Sequence, residues 1–397
     1  MEKLKDGYKE TELGIIPEEW EVKKFAQIFK ISAGRDLIKD HFSPICDNEY
    51  CFPIYSNSLE KRGLYGYTKI ARHKRNSITI TGRGTLGKAN PRYTDFDAIG
   101  RLLVLEPKID LNCAFISEFI NYKVKFFIES TGVPQLTVPQ VSKSLIALPP
   151  LEEQNQIASI LSTVDDLIEN TDHLINSYTL LKKGLMQTLL TKGIGHTKFK
   201  KTEIGEIPEE WEVKRLSEVS NIIMGQSPES STYNNLEKGL PFFQGKTEFG
   251  EIYPNIVKWW CDKPIKISYP NDILISVRAP VGDVNINNTK ACIGRGLSAI
   301  RAIDTLLNYK FLFYFLIKGN EEFLKYSQGS TFTAITGNDL RNFKILLPPL
   351  QEQNQIASIL SSVDDRLELY KSKKEKLNLL KKGLMQQLLT GKIRVKV

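Results

Sequence analysis

The sequence LPPLEEQNQIASILSTVDD at residues 148–166 returns as LPPLQEQNQIASILSSVDD at residues 347–365, with 17 of 19 positions identical. A second pair lies upstream, where TELGIIPEEWEVKKF at 11–25 matches TEIGEIPEEWEVKRL at 202–216. The chain of 397 residues is therefore a tandem duplication. Each copy runs from a short head, through a divergent middle, to a near-identical tail.

The tails have the apolar spacing of long helices. Apolar residues recur at alternating intervals of four and three, and LLKKGLMQTLLT at 180–191 returns as LLKKGLMQQLLT at 379–390. This spacing predicts a coiled-coil seam that includes Leu181 and Leu380. Since neither helix can bury its seam alone, we expect the two helices to pair with each other.

The middles mix strand-like and helix-like stretches. In the first, 76–81 and 101–105 are predicted as strands and 112–129 as a helix; in the second, 272–277 is predicted as a strand and 304–326 as one or two helices. The sequence thus predicts a mixed α/β fold with an internal pseudo-twofold repeat. Two α/β globules are expected to be separated by a long antiparallel two-helix coiled coil.

The repeat also suggests where the domains begin and end. We expect a first globular domain at 1–150 and a first helix at 151–192, then a linker and second globular domain at 193–349. A second helix and C-terminal tail would occupy 350–397.

Positive charge is concentrated in the first middle. The formal net charge is +8, from 54 basic and 46 acidic residues, and the window from Lys61 to Arg101 holds ten basic residues against Asp95 and Asp97. This window alone accounts for the whole excess, which is typical of a phosphate-binding surface. The alternative is a solvated loop that happens to be basic.

Two motifs suggest catalytic chemistry, but neither is complete. TGRGTLG at 81–87 contains the Gly-x-G-x-x-Gly spacing of dinucleotide-binding loops, yet no helix is predicted after it. The second copy has only an arginine-bearing turn at Arg278. Asn90-Pro-Arg-Tyr93 is similar to the motif by which adenine methyltransferases hold a flipped base, but Arg92 breaks the pattern. The four histidines are dispersed, so we expect no catalytic residues and no metal site.

The composition of the sequence argues against membrane-spanning, secreted and disulfide-rich proteins. The sequence has no apolar run long enough to span a bilayer and no hydrophobic signal region near its start. Its five cysteines are scattered and odd in number, which argues against a disulfide framework. We therefore expect a reduced, cytoplasmic protein.

Basic, amide and aromatic side chains interleaved in the middles are the candidates for a nucleic-acid contact. Arg, Asn and Gln can read base edges, and Lys and Arg can neutralise phosphates. For any single aromatic ring, a place in the core is the stronger interpretation. The predicted DNA-binding residues are Asn57, Arg62, Tyr65, Arg72, Lys74, Arg75, Arg83 and Lys88 in the first copy, and Gln226, Tyr233, Gln244, Lys246, Lys258 and Arg278 in the second.

The order of these duplicated motifs resembles the DNA-specificity subunit of Type I restriction-modification enzymes. The likeness covers nearly the whole chain. It rests on the LPPLxEQNQIA helix entries, the LLKKGLMQ exits and the segment SVRAPVG at 276–282, together with paired Gly-x-x-Pro-x-x-Trp heads at Gly14, Pro17 and Trp20 and at Gly205, Pro208 and Trp211.

This resemblance implies a function for each part. Each middle would be a target-recognition domain that reads one half of a bipartite double-stranded DNA site. The tails would form an antiparallel spacer that docks two methyltransferase subunits and helps to scaffold the restriction subunits. The chain itself would be non-catalytic and bind no cofactor, while its partners use S-adenosylmethionine, ATP and Mg.

Two alternatives to this interpretation remain open. The chain could be the specificity module of another restriction system, whose methyltransferase and nuclease are fused in one partner. It could also be a coiled-coil adaptor that binds no DNA. This alternative explains the duplication but not the cluster of positive charge between Lys61 and Arg101.

Overall fold

The computed structural model describes residues 6–126, 134–255, 258–319 and 334–395. The chain forms two compact units: the first is Met1–Asp172 with Lys373–Val397, and the second is His173–Ser372. Both units are mixed α/β, as predicted from the sequence.

The first unit is built on sheets whose strands pair mostly antiparallel. Its elements are β1 Tyr8–Thr11, β2 Gly14–Pro17, β3 Glu21–Lys24, α1 Phe25–Ile28, β4 Phe29–Ala33, β5 Phe42–Ser43, β6 Phe52–Tyr55, β7 Leu64–Thr68, β8 Ser77–Ile80, β9 Ala89–Arg92, β10 Asp97–Ala98, β11 Leu103–Pro107, α2 Cys113–Lys123, α3 Val138–Ser142 and β12 Leu145–Leu148. One sheet has the order β4-β11-β8-β9, and another has the order β10-β6-β7-β5. In addition, β1 pairs with β2, and β3 pairs with β12. The parallel pair β10–β6 lies at a sheet edge.

The core of the first unit lies between the β4-β11-β8-β9 sheet and α2. Every residue of β8 is buried, and Leu103 and Leu105 of β11 belong to the same buried hydrophobic cluster as Phe115 and Phe119 of α2. The side chain of Asn112 caps this helix by accepting from the Phe115 amide at 3.0 Å. The helix predicted at 112–129 ends at Lys123, and 127–129 lie outside the described residues.

The second unit repeats this plan. Its elements are β13 Phe199–Thr202, β14 Gly205–Pro208, β15 Glu212–Arg215, α5 Leu216–Val219, β16 Ser220–Met224, β17 Tyr233–Asn234, β18 Leu240–Phe243, β19 Trp259–Cys261, β20 Ile267–Ser268, β21 Ile273–Ser276, β22 Val284–Ile286, β23 Ala291–Ile293, β24 Leu297–Ala302, α6 Tyr309–Lys318, α7 Gly337–Asn342 and β25 Lys344–Leu347. The sheet β16-β24-β21-β22 has the same order as β4-β11-β8-β9. A second sheet has the order β17-β19-β18-β23-β20. Part of the helical stretch predicted at 304–326 lies outside the described residues.

Two long helices follow the repeated Leu-Pro-Pro segments, with α4 at Leu151–Lys192 and α8 at Leu350–Leu388. In the first turn of each, a glutamine side chain donates to a carbonyl of the preceding prolines, at 2.9 Å for Gln154 and 2.8 Å for Gln353. Gly193, with φ of 65°, follows α4 in the left-handed conformation that commonly ends helices.

Ion pairs give the direction of the helix pairing within the first unit. Lys381 of α8 lies 2.8 Å from Asp165 of α4, and Lys374 lies 2.6 Å from Asp172. The residue number rises along one helix as it falls along the other. The helices therefore run antiparallel there, in agreement with the sequence prediction.

The predicted seam is wrong at Leu181 and Leu380, which are 48% and 50% exposed. The inward position of α4 is taken instead by Lys182, whose ammonium group lies 2.6 Å from the buried carboxylate of Asp364. Lys381 has the equivalent place in α8. Because the inward residues here form ion pairs, apolar periodicity selected the neighbouring leucines instead.

The repeated heads anchor their units through a buried tryptophan. In the first unit the indole nitrogen of Trp20 donates to the Glu153 carboxylate at 3.0 Å, and that carboxylate is 1% exposed. The guanidinium of Arg394, which follows α8, binds both carboxylate oxygens at 2.7 and 2.9 Å. A buried carboxylate needs such partners, so head, helix and C-terminal segment form one network.

The second unit uses the same device, with a histidine in place of the arginine. Trp211 donates to Glu352 at 2.9 Å, and the Ile194 amide donates to the same carboxylate at 2.9 Å. Nε2 of His196 also lies 2.9 Å from it. The segment that follows α4 thus completes the second unit as the segment after α8 completes the first.

Replacing Arg394 with methionine is expected to destabilise the first unit by about 3 kcal/mol, because the buried Glu153 carboxylate loses its counter-ion. Urea-dependent hydrogen exchange of β3 and β12 measures this loss. The double variant Arg394→Met/Glu153→Gln removes the buried charge as well and should recover much of the stability. Unchanged protection in the single variant would show that the pair does not stabilise the unit.

Candidate nucleic-acid interface

Loops of the first unit meet at one edge, where β4, β6, β8 and β10 end. Backbone hydrogen bonds hold them together: Gly34 donates to Leu102 at 2.7 Å, and Arg35 donates to Ala98 at 3.1 Å. The amide of Gly100 donates back to the Arg35 carbonyl at 3.0 Å. Main-chain hydrogen bonds therefore join the loop after β4 to the loop after β10.

The side-chain amide of Asn57 links three of these loops. Its oxygen accepts from the amides of Gly82 at 2.7 Å and Arg83 at 3.3 Å, and its nitrogen donates to the Gly100 carbonyl at 2.6 Å. Asn57 was predicted to bind DNA. In the structure both ends of its amide are engaged within the fold, where they position the turns that carry Arg83 and Arg101.

The linked loops carry exposed arginines. Arg35, Arg83 and Arg101 are all exposed, and none of them forms an ion pair with a described carboxylate. Cations in this state are available to phosphates or to guanine edges. We call these three residues the first basic edge. Arg62, from the loop between β6 and β7, is also exposed and lies 3.5 Å from Glu169.

The second unit forms an equivalent edge where β16, β18, β21 and β23 end. Here the turns are tied directly, since the Val277 amide donates to Gly296 at 2.9 Å and the Gln226 amide donates to Ile293 at 3.1 Å. The residue that corresponds to Asn57 is Gly245, which has no side chain. In the second unit these backbone hydrogen bonds therefore join the loops without a side-chain amide. The second basic edge consists of the exposed residues Gln226, Gln244, Arg278 and Arg295.

The basic window of the sequence does not form a single patch. Lys74 and Arg75 precede β8, whereas the first basic edge lies where β8 ends, so the strand separates the two groups. Lys74 pairs with Asp95 at 3.1 Å, and Arg72 pairs with the buried Asp97 at 2.8 Å. Arg72 thus has a partner within the fold.

The remaining predicted residues differ in their surroundings. The hydroxyl of Tyr233 donates to a backbone carbonyl at 3.0 Å, and Lys246 pairs with Asp283 at 2.6 Å. The ammonium of Lys258 lies 5.6 Å from the ring of Trp259. Tyr65 and Lys88 are exposed.

Three exposed arginines of these edges, Arg35, Arg101 and Arg295, are not among the predicted DNA-binding residues, although the basic window ends at Arg101. A signal for them was present, because each follows a glycine. The glycine permits a close turn: a Cβ on Gly34 would lie 2.7 Å from the Ala98 carbonyl oxygen. The Gly-Arg dipeptides of the sequence are 34–35, 82–83, 100–101 and 294–295, and all four place their arginine on a basic edge.

The described residues show none of the groupings that hold a metal: no cluster of three or more His, Cys, Asp or Glu side chains is suitably placed. Burial raises the pKa of Cys113 to about 12 and that of Cys292 to about 11, so neither is a thiolate nucleophile at neutral pH.

After TGRGTLG the chain enters β9, which confirms that no helix follows that loop. No helix in the described parts of the chain is long and apolar enough to cross a membrane.

Comparison with known proteins gives a consistent result over both copies. The family described as "Type I restriction modification DNA specificity domain" matches residues 17–178 and again residues 208–379. A protein of Methanocaldococcus jannaschii named as the MjaX specificity subunit of a type I restriction enzyme is 41% identical, covering 98% of this chain and 97% of its own length. The MjaVIII specificity subunit of the same organism is 31% identical over the same shares.

Solved structures give a similar picture of the fold. A chain from a study of complex assembly and conformational transition of the type I R-M system is 29% identical with a TM-score of 0.54, covering 95% of this chain and 99% of that one. The Type-I restriction-modification S subunit from M. genitalium is 16% identical with a TM-score of 0.68, covering 97% of each chain.

Proposed function

Because the chain belongs to the family of Type I restriction-modification DNA-specificity proteins, we propose that each unit binds one half of a bipartite site in double-stranded DNA. The strongest support is that the basic edge occurs in both copies. The middles diverge in sequence, yet Arg83 and Arg278 follow equivalent strands and both are exposed. Two divergent domains with the same edge are suited to reading two different half-sites along a common phosphate backbone.

We further propose that the chain recognises DNA and leaves the chemistry to its partners. Methyltransferase subunits would transfer methyl groups from S-adenosylmethionine, and restriction subunits would use ATP and Mg. The polar side chains of both edges are guanidinium and amide groups, which bind phosphates and bases but supply no general base or nucleophile.

The long helices provide two equivalent surfaces for the methyltransferase subunits. Leu180 of α4 and Leu379 of α8 occupy the same place in the repeat and are 71% and 72% exposed. Packing within the fold explains why buried residues are alike in both copies, but it does not explain an identical exposed leucine. A protein partner that docks twice would explain it.

Replacing Arg35, Arg83 and Arg101 together with alanine is expected to weaken DNA binding by about a hundredfold at moderate salt, because up to three phosphate contacts are lost. The slope of log K against log salt should fall by roughly two to three. Filter binding of the whole chain over a series of salt concentrations measures both quantities.

The double variant Lys74→Ala/Arg75→Ala is the matched control. It removes two exposed cations from the other end of β8 and should leave affinity and salt slope close to those of the unsubstituted chain. If the control weakens binding as much as the triple variant, the basic edge is not the interface.

A further inference from the structure

Arg92, at the end of β9, is a buried cation without a carboxylate partner. It is 4% exposed and forms no ion pair with the described residues. Burial lowers the pKa of Arg92 to about 10, which still leaves the guanidinium charged at neutral pH. An unpaired buried charge is unfavourable, so its contacts must compensate for the loss of water.

Three contacts surround this guanidinium. Nε donates to the hydroxyl of Thr79 at 2.9 Å, and Nη2 donates to the backbone carbonyl of Arg62 at 2.7 Å. The guanidinium carbon lies 3.5 Å from the centroid of the Tyr55 ring, in cation–π contact. The side chain therefore connects the sheet interior to the loop between β6 and β7.

That loop has a strained backbone. Lys61 and Arg62 both lie in the left-handed region, with φ of 47° and 54°, and Gly63 follows with φ of 88°. The left-handed form costs roughly 1–2 kcal/mol for each residue with a side chain. Glycine or asparagine would suit these positions better, so two consecutive large cations here contradict local preference, as often occurs at functional sites.

The strained turn is exposed and close to the first basic edge. Its carbonyl at Gly63 accepts from the amide of Ser56, the residue before Asn57, at 2.8 Å. The side chain of Arg62 is 68% exposed, and its contact with Glu169 is 3.5 Å long, which is weak for an ion pair in solvent. Two adjacent cations are thus presented on a turn that is held by hydrogen bonds.

We propose that Arg92 is a positioning residue, which holds the Lys61–Arg62 turn in the conformation that binds a phosphate of the DNA backbone. This inference rests on the proposed DNA-binding function. Because the turn is held before binding, little further ordering of the backbone is required when DNA binds. Arg92 itself stays buried and does not touch the DNA.

At the position equivalent to Arg92 the second unit has Asn287, and this difference supplies an internal control. Arg92 pairs with Ser77 across the sheet. Asp272 corresponds to Ser77 in the second unit, and the backbone amide of Asn287 donates to the Asp272 carbonyl at 2.8 Å. The buried side chain of Asn287 donates to Ser268, at 2.8 Å, and to nearby carbonyls. The effect of Arg92 should therefore be confined to the half-site read by the first unit.

The test compares three variants of the whole chain: Arg92→Met, Lys61→Ala/Arg62→Ala, and the combination of all three changes. Methionine fills a similar volume without a charge, and circular dichroism shows whether the variant folds. We expect Arg92→Met to weaken binding about tenfold and to lower the salt slope by about one, as the Lys61/Arg62 variant does. The combined variant should be no weaker than either.

Each other result has a defined meaning. The positioning role would be overturned if the losses of DNA affinity in the combined variant were additive. It would also be overturned if a folded Arg92→Met chain kept full DNA affinity while the Lys61/Arg62 variant bound more weakly. If Arg92→Met does not fold, Thr79→Val takes its place, because it removes only the hydroxyl that accepts from Nε of Arg92. The same pattern is then expected, with smaller losses of DNA affinity and salt slope. Failure of the unsubstituted chain to bind DNA would instead reject the proposed function before any variant is compared.

Discussion

A fragment of residues 1–198 is expected to form a homodimer that replaces the missing second repeat with a second copy of the first. The first unit is incomplete within such a fragment, because it includes Lys373–Val397 from the other end of the chain. The equivalent segment of the first repeat, at the end of α4, is present in the fragment. We therefore expect two copies to exchange these segments with twofold symmetry.

The contacts that the exchange must replace are nearly identical in the two repeats. Leu388 and Leu389 are buried in the core of the first unit, and Leu189 and Leu190 are buried in the core of the second. The segment after α4 also carries His196, which would meet Glu153 as it meets Glu352 in the whole chain. The exchanged segment is thus expected to fit.

An ion pair allows the exchange to be tested directly. In the whole chain Lys381 pairs with Asp165, and Lys182 occupies the equivalent place and pairs with Asp364. In the homodimer Lys182 of one copy would therefore meet Asp165 of the other. The fragment variant Lys182→Glu should weaken the dimer, and Asp165→Lys added to it should restore the association.

Sedimentation equilibrium measures the association, and selection from random duplexes with the methyltransferase subunit present measures the site. A twofold dimer reads the same half-site twice, so the selected sequence should be palindromic. A fragment that stays monomeric at micromolar concentration, or that selects an asymmetric sequence, would contradict the equivalence of the two repeats.

Internal repetition made most of the fold predictable. The duplicated heads and tails indicated two units and two long helices without any other sequence for comparison, and the structure has both. The seam was less predictable at Leu181, because hydrophobic periodicity does not show that the lysine beside it, Lys182, turns inward to a buried aspartate. Charge pairs within a helix interface depend on the partner helix, which a local pattern does not include.

The candidate site was harder to predict than the fold. Charge counting found the region that contains Arg83 but grouped it with Arg72, whose charge is paired with the buried Asp97. Cations lie on the same edge of a sheet only if they are at the same end of its strands. The direction of each strand decides this, and it follows from the strand order of the sheet rather than from the number of residues between the cations. The Gly-Arg dipeptides carried more information than net charge, because a close turn with an exposed arginine is a local property.

The surfaces proposed to dock methyltransferase subunits include a glycine inside each long helix. Gly184 of α4 lies four residues after Leu180, and Gly383 of α8 lies four residues after Leu379, so each pair shares one helix face. A Cβ added to either glycine would meet nothing within 4 Å. Glycine in a helix interior is less stable than alanine by about 1 kcal/mol, and nothing in the described fold requires it here. A partner helix that approaches closely would require it.

Gly184→Leu and Gly383→Leu are therefore expected to stabilise the isolated chain slightly, by up to about 1 kcal/mol, yet each should lose one methyltransferase subunit. The double variant should lose both. Mass measurement of the reconstituted complex gives the stoichiometry, and thermal unfolding gives the stability. Thr179→Leu and Asn378→Leu are matched controls, since they add the same side chain to exposed positions about 140° around each helix. Both controls should bind two subunits, and a Gly184→Leu/Gly383→Leu chain that still binds two would place the docking surfaces elsewhere.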